Sequence, residues 1–422
     1  MRDIQKIVII GNGVAGNSAA ASIRSVSKET AVTMISKEPF PEYCACVLSK
    51  KYISNEMKRE EVFLKTFENY SREGIRTTFG RTVSGIDVER KAVLLETGVV
   101  DYDKLIIATG GRPIIPPLEG IGKKGIFTMK SLGDAELISN YTGEKAVVIG
   151  AGPIGLELSI ALKKRGWKVT LVELLERVLP KAFDEEPSSI LRKIVENYGI
   201  EVLTGEKAIK MSGATHVEKV ITDKREIECD MVIMNLGMRP EVELARKAGL
   251  EIGRLGGIKV DRRMMTSTED VYACGDCIEA TDVVTSENLL SLLWHNAKQQ
   301  GEIAGYNSAG ITKNYAGSLN ICGITVLGVS AVSIGHTAEK FAKQNLEIIE
   351  ENHNGYYYRL LVADDIFVGA QFVGKIDDMG PIVGAIWRGE SLDKVRRIIN
   401  DRALLSHNPW FYRMHPYIGQ KN

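Results

Sequence analysis

Several things are missing from this 422-residue chain, and each absence excludes something. It has no surplus of either charge: Lys plus Arg and Asp plus Glu both total 54, so the formal net charge is zero. A partner recruited by bulk charge, such as nucleic acid or an anionic membrane, is therefore not expected, although a local patch would escape that sum. No apolar run is long enough to span a bilayer, because Gly or charged residues interrupt each one. An apolar strand pattern begins within a few residues of Met1, so no signal or transit peptide is expected. Cysteine is sparse; six residues suit a reducing, cytosolic setting, and no structural zinc site is expected from them. No period of about 20–50 residues repeats, which sets aside solenoids and propellers. What remains, 44% apolar and 26% charged residues, is a globular composition, and the length calls for roughly two or three domains.

Glycine, by contrast, is abundant at 41 residues, and one phrase built on it is written twice. KIVIIGNGVAGNSAAASI carries Gly11-x-Gly13-x-x-Gly16, and KAVVIGAGPIGLELSIAL carries Gly150-x-Gly152-x-x-Gly155 about 140 residues later. Each has a strand pattern before it and a helix pattern after it. The first glycine makes a tight turn, the second lets the backbone approach a pyrophosphate, and the third lets the helix pack on the strand. Open N–H groups at the helix start then hold the phosphate charge. One copy is compatible with an ordinary strand-to-helix turn; two in the same context point to two dinucleotides.

The rest of the chain can be read around these phrases. Residues 6–11 read as a strand, 14–26 as a small-residue helix and 31–36 as a second strand. Ribose binding wants an acid at the end of that second strand; Ser36 and Lys37 come first, so Glu38 is the candidate. Residues 55–75 read as a charged helix, and 75–103 as short strands with turns at Gly80, Gly85 and Gly98. DKLIIATGGRP (103–113) is a buried strand with a Gly-Pro exit. After the second phrase, WKVTLVE ends in Glu173, an acid that favours a free 2′-hydroxyl and hence NAD over NADP; Arg177 pulls the other way. A helix near 185–198, the strand GIEVLTG and then DMVIMNLGMRP (230–240) follow. VYAC ends in Gly275-Asp276, and 287–310 reads as a helix. From about 313 the pattern is α+β, with a late helix at LDKVRRIIN.

Four landmarks thus fall in order: the first glycine motif with Glu38, ATGGRP at 108–113, the second glycine motif with Glu173, and TSTEDVYACGD at 266–276. With them the chain resembles the FAD- and NAD(P)-dependent pyridine nucleotide-disulfide oxidoreductases. That family includes the disulfide reductases, the NADH oxidase and coenzyme A disulfide reductase group, and the rubredoxin, ferredoxin and nitrite reductase types. The resemblance covers roughly residues 4–310, and the residues after it match only loosely. It implies an α/β fold with two Rossmann-like domains: an FAD domain from 1–113 and 245–312, an NAD(P) domain at 114–244, and a C-terminal α+β interface domain at 313–422. It implies FAD at Gly11, Gly13, Gly16, Glu38, Thr109, Gly110, Arg112 and Asp276, and NAD(H) rather than NADP(H) at Gly150, Gly152, Gly155 and Glu173. Asp276 is implied to bond the flavin ribitol or phosphate region. The following helix is implied to aim its N-terminus at the flavin edge that becomes anionic on reduction. Trp294 and His295 on that helix read as packing.

PEYCACVLSKKY (41–52) carries the rest of the implied chemistry. Cys46-Val-Leu-Ser-Lys50 resembles the CVPSK of the disulfide reductases, and the same segment resembles the Arg-Pro-x-Leu-Ser-Lys of the ferredoxin and nitrite reductase type. Both imply Lys50 beside the flavin, with Glu157 as its ion-pair partner, since a buried Lys without a counter-charge is costly. Cys46 lacks a partner thiol five residues earlier; Cys44 lies only two away, and a CxC disulfide would be strained and labile. Cys46 is then half of such a pair, a single thiol that forms mixed disulfides, or a small apolar residue beside the flavin. Cys274 and Cys277 read as packing, and Cys229 and Cys322 carry no signal. His415-Pro416 resembles the His-Pro proton donor of the glutathione reductase type, without further match around it.

The expected activity is hydride transfer between a nicotinamide and FAD, with Lys50, Glu157 and Cys46 as catalytic residues. The expected acceptor is a redox partner protein, or a larger oxidoreductase complex in which this cytosolic chain is an oligomer or subunit. The alternatives are reduction of a small disulfide, persulfide or oxygen at Cys46, or a nucleotide-binding sensor without turnover.

Overall fold

The computed structural model of the chain describes residues 4–353, 356–374, 379–391 and 393. They form two compact units. The first gathers the residues up to Val47, Met57–Ile114 and Met238–Ser318; the second gathers Leu48–Glu56, Ile115–Gly237 and the described residues from Leu319 onward.

In the first unit, KIVII forms the strand Lys6–Ile10, whose four branched residues are all buried. Branched residues favour a pleated strand, and burial on both faces demands neighbours on both edges. Ala31–Ser36 and Lys104–Ile107 supply them, both parallel. Val271–Ala273 and Ile75–Phe79 extend the sheet, in the order Val271–Ala273, Lys104–Ile107, Lys6–Ile10, Ala31–Ser36, Ile75–Phe79. Beside it the helix Val14–Val26 packs on the helix Trp294–Ser308. A Cβ on Gly301 would stand 2.2 Å from the Ala15 carbonyl oxygen, and one on Gly305 2.4 Å from that of Ala19. Two glycines four apart therefore let the helix backbones nearly touch.

The second unit repeats the sheet. Its order is Glu201–Leu203, Lys168–Val172, Lys145–Ile149, Met231–Met234, Ile126–Thr128, and every pair is parallel. In both sheets the strand before the glycine motif is central, and the chain crosses to opposite sides of it. That reversal is the switch point where such sheets bind ligands, at the carboxyl ends of the strands. This unit also holds an antiparallel sheet ordered Ile321–Val326, Val329–Gly335, Ile366–Val373, Tyr356–Ala363, Leu346–His353, with the helix Met379–Trp387. LDKVRRIIN, Asp393 apart, and His415-Pro416 lie outside the described residues.

Three readings of the sequence need correction. Residues 55–75 are not one helix: a short 3₁₀ turn, Arg59–Val62, and the helix Phe67–Arg72 flank an extended stretch. That stretch is drawn into pairing, with Cys44 N donating to Val62 O at 2.8 Å and Leu64 N to Glu42 O at 2.7 Å. Gly85 is no turn; it sits inside the strand Val83–Asp87 at a bulge against Ala92–Leu95. The helix expected from 287 begins at Trp294, because Asn288–Leu289 pairs with Ala280 and Thr281 instead. No helix among the described residues is long and apolar enough to cross a membrane.

Candidate functional site

Each glycine motif builds a cradle that is tight below and open above. A Cβ on Gly11 would stand 2.0 Å from the Ala108 carbonyl oxygen, and one on Gly16 2.1 Å from that of Gly11. In the second motif a Cβ on Gly150 would meet Asn235 O at 2.3 Å, and one on Gly155 would meet Gly150 O at 1.9 Å. These glycines are required by the protein's own packing. Gly13 and Gly152 differ: a Cβ there would find nothing within 4 Å. They are the N-caps of Val14–Val26 and Pro153–Lys164, and neither helix start has a side-chain cap. Open space over a helix N-terminus with uncapped N–H groups is what a pyrophosphate needs.

In the first unit Glu38 is half-buried, and the Tyr43 hydroxyl donates to its carboxylate oxygens at 3.1 and 2.9 Å. Asn12, within the glycine turn, donates to Phe40 O at 2.9 Å and accepts from the Tyr70 hydroxyl at 2.7 Å. Tyr70 is fully buried, also bonds Asn17, and burial pushes its phenol far up. Sequence reading missed Tyr70, because a tyrosine on a short helix carries no signal for a loop 58 residues away.

ATGGRP serves as a seam. The Thr109 hydroxyl donates to Glu241 O at 2.7 Å, Glu241 N donates to Gly110 O at 2.9 Å, and the Arg112 guanidinium lies 3.6 Å from the Glu241 carboxylate. Gly111–Pro113 pairs antiparallel with Met238–Pro240, so these residues hold the returning chain. Asp276 comes close to this seam: a Cβ on Gly111 would lie 3.6 Å from its own Cβ. The neighbouring Gly275 N–H donates at 2.9 Å to the buried amide oxygen of Gln300, a second residue missed from sequence. His295 is buried, while the Lys298 ammonium lies 5.6 Å over the Trp294 ring. Cys274 and Cys277 stand at C-x-x-C spacing, fully buried; burial raises both thiols, Cys277 to about 11. Among the described residues no group of three His, Cys, Asp or Glu side chains could hold a metal ion.

In the second unit Glu173 is only 8% exposed. It accepts Ala151 N at 2.7 Å and Leu175 N at 2.9 Å. Its carboxylate thus touches the glycine turn itself. Arg177 is turned onto its own loop, donating to Phe183 O and Pro180 O, both at 3.1 Å.

The sequence brings Lys50 to Glu157 across 107 positions. Lys50 lies on a π-helical turn, Leu48–Tyr52, and its Nζ is 3.4 Å from Glu157 Oε1. The lysine side chain is 42% exposed and the glutamate 11%. Ser49 Oγ donates to Glu157 Oε2 at 2.5 Å, a contact with no signal in the order of residues. Burial raises the Glu157 carboxyl, while the Lys50 charge and the Ser49 hydrogen bond draw it back down. The Cys322 thiol faces the same carboxylate and is pushed up to about 12, chiefly by burial. Cys46 is exposed on the turn Ala45–Val47, and Cys44 is buried. Glu42, two residues before Cys44, is pushed up to about 7 by burial, against the opposing pull of Lys65.

Comparison with known proteins adds three relatives and a family. The profile of the family described as pyridine nucleotide-disulphide oxidoreductase matches residues 5–301. An NADH oxidase of Methanocaldococcus jannaschii is 35% identical over 354 residues, 82% of this chain and 78% of that protein. The assimilatory nitrate reductase electron transfer subunit of Bacillus subtilis is 27% identical over 401 residues, 94% of this chain, which spans about half (51%) of that protein's length. The solved structure of an NAD-dependent persulfide reductase from A. fulgidus matches with a TM-score of 0.89 at 29% identity, covering 93% of this chain and 79% of that one.

Proposed function

The chain belongs to the pyridine nucleotide-disulphide oxidoreductase family, and from that premise we propose that it moves electrons between NADH and a protein redox partner by way of FAD. It is an FAD-containing, NAD(P)H-dependent oxidoreductase. The observation that carries the reading is the pair of glycine cradles, alike in sheet order, in clashes below and in open space above. When bound, the two cofactors supply hydride chemistry; the chain supplies position and charge.

We assign FAD to the cradle at Gly11, Gly13 and Gly16, with Glu38 for ribose hydroxyls and Asp276 for the ribitol or phosphate region. Thr109, Gly110 and Arg112 act there by holding the seam. NADH is assigned to the cradle at Gly150, Gly152 and Gly155. Glu173 supports that choice, since a buried carboxylate repels a 2′-phosphate, and Arg177 is drawn onto the carbonyls of its own loop and toward Glu339. Lys50, with Glu157 behind it, provides a compensated positive charge for the negative charge that accompanies reduction.

Two observations support a protein acceptor. The Cys44–Cys46 spacing is poor for a redox disulfide, and the B. subtilis relative, aligned over 94% of this chain, is named an electron transfer subunit. A second reading, reduction of a small persulfide, disulfide or oxygen at Cys46, is favoured by the exposure of that thiol and by the A. fulgidus relative.

Anaerobic titration of the FAD-loaded protein with NADH tests the core of this. Bleaching of the oxidised flavin absorbance is expected; an unchanged spectrum overturns it. Cys46→Ser then separates the acceptors. Retained turnover with a protein acceptor supports the first reading, and loss of turnover with intact bleaching supports the second.

A further inference from the structure

We propose that Ser49 is a positioning residue: its hydroxyl fixes the Glu157 carboxylate so that the remaining oxygen faces Lys50. The inference rests on the reading of Lys50 and Glu157 given above and extends it to a residue outside the implied set.

The argument begins with what a carboxylate needs. Glu157 lies on the helix Pro153–Lys164 among the buried side chains Leu156, Leu158 and Ile160, and its own side chain is 11% exposed. A charge in such a place persists only with close partners. Lys50 is a poor partner by itself: its contact is long at 3.4 Å, and 42% exposure lets water screen it. Ser49 is 4% exposed and makes the shorter contact, at 2.5 Å, on the other oxygen. The two contacts divide the carboxylate, one oxygen to each side chain.

The backbone explains how consecutive residues reach one group. On an ordinary α-turn neighbours point about 100° apart. Here the turn is wider, closed by Ile53 N donating to Leu48 O and Glu56 N to Lys51 O, at 3.1 and 2.9 Å. Such π turns bring neighbouring side chains closer together in direction and recur at functional sites. The Cys322 thiol, on the strand Ile321–Val326, is pushed up by burial and by the Glu157 charge, so it adds no counter-charge. Removing the hydroxyl leaves a buried oxygen without its bond; the carboxylate then takes a proton from solvent at higher pH, and Lys50 loses its counter-charge.

The test follows the Glu157 carboxyl in the full-length chain, labelled with carbon-13 at glutamate side-chain carboxyls and titrated by NMR. Its signal is identified by its loss in Glu157→Gln. Ser49→Ala is expected to move the midpoint to higher pH, and Ser49→Thr, which keeps the hydroxyl, to return it toward the wild-type position. In the FAD-loaded protein, a Lys50 no longer held by Glu157 turns to solvent, and the rate of flavin reduction by NADH in Ser49→Ala should fall about tenfold at pH values below that midpoint, with KM for NADH unchanged. A midpoint unmoved in Ser49→Ala, or displaced equally in Ser49→Thr, overturns the proposal. If NADH fails to reduce the flavin even in the wild type, the functional reading falls, while the carboxyl titration still decides the role of Ser49.

Discussion

The Glu173 carboxylate accepts the Ala151 N–H at 2.7 Å, so the acid at the end of one strand holds the glycine turn at the end of its neighbour. A second bond, from Leu175 N at 2.9 Å, occupies its other oxygen. On the proposed assignment of NADH to this cradle, specificity and loop geometry share one side chain. Glu173→Gln should relax the preference for NADH over NADPH, because the charge that repels a 2′-phosphate is gone. Glu173→Ala should in addition cost about 2–3 kcal/mol of stability by leaving buried N–H groups unpaired. Steady-state kinetics with both nucleotides, alongside urea denaturation, separates the two effects.

The two kinds of glycine in each cradle should fail differently. A Cβ on Gly16 would stand 2.1 Å from a carbonyl oxygen, whereas one on Gly13 would meet nothing within 4 Å. Gly16→Ala should therefore destabilise the protein by about 1–3 kcal/mol as helix and strand are forced apart. Compared without flavin, Gly13→Ala should melt like the wild type, yet once loaded it should release FAD far more readily, since the methyl group occupies the pyrophosphate approach. Thermal melting and flavin retention on a desalting column check both; equal melting losses would contradict the distinction.

Glu42 sets a pH dependence. Its carboxyl is raised from 4.5 to about 7, chiefly by burial, with Lys65 and Lys298 opposing and Glu73 and Cys44 adding to the rise. Because the folded value exceeds the unfolded one, the folded state holds the proton more tightly between those values, and stability falls as pH rises through that window. Above about pH 7 the full cost, up to about 3 kcal/mol, is present. Glu42→Gln should be more stable than the wild type at pH 8, and that advantage should shrink to about 1 kcal/mol or less near pH 5. Urea denaturation at the two pH values gives the answer, and a constant difference would sink the assignment.

A buried ion pair anchors the second unit. Asp184, 7% exposed, accepts Gln371 Nε2 at 2.8 Å and Ala338 N at 3.1 Å, and lies 3.3 Å from Arg359 Nε. Asp184→Ala takes one carboxylate from the guanidinium, which keeps Glu350 Oε2 at 2.7 Å from its Nη1, and leaves the Ala338 N–H and the Gln371 amide without their acceptor, at a cost of about 1.5–3 kcal/mol. Asp184→Asn, which keeps most of the shape, should lose less. A drop of under about 1 kcal/mol in Asp184→Ala would show that the pair contributes little.

Much of the architecture was legible because it is written locally. Four buried branched residues in a row, then Gly-x-Gly-x-x-Gly, then a run of small residues, specify strand, turn and helix within about 20 positions. The helix at Val14–Val26 and the strand at Ala31–Ser36 follow from such patterns. Where reading went astray, at 55–75 and 287–293, a segment with helical composition was claimed by pairing with another extended segment. Local propensity is a small term, and tertiary hydrogen bonding overrides it.

By itself, then, the order of residues decided the two glycine turns, the central strands before them and the helices after them, since short-range periodicity and obligatory glycines carry that information. Only the tertiary structure decided what touches those parts. Ser49 on Glu157 joins residues 108 apart, Tyr70 on Asn12 joins residues 58 apart, and Gln300 holds Gly275 from a helix 25 positions away. Such contacts arise because burial obliges each polar atom to find a partner wherever the fold puts one, and that demand leaves no periodic trace in the chain.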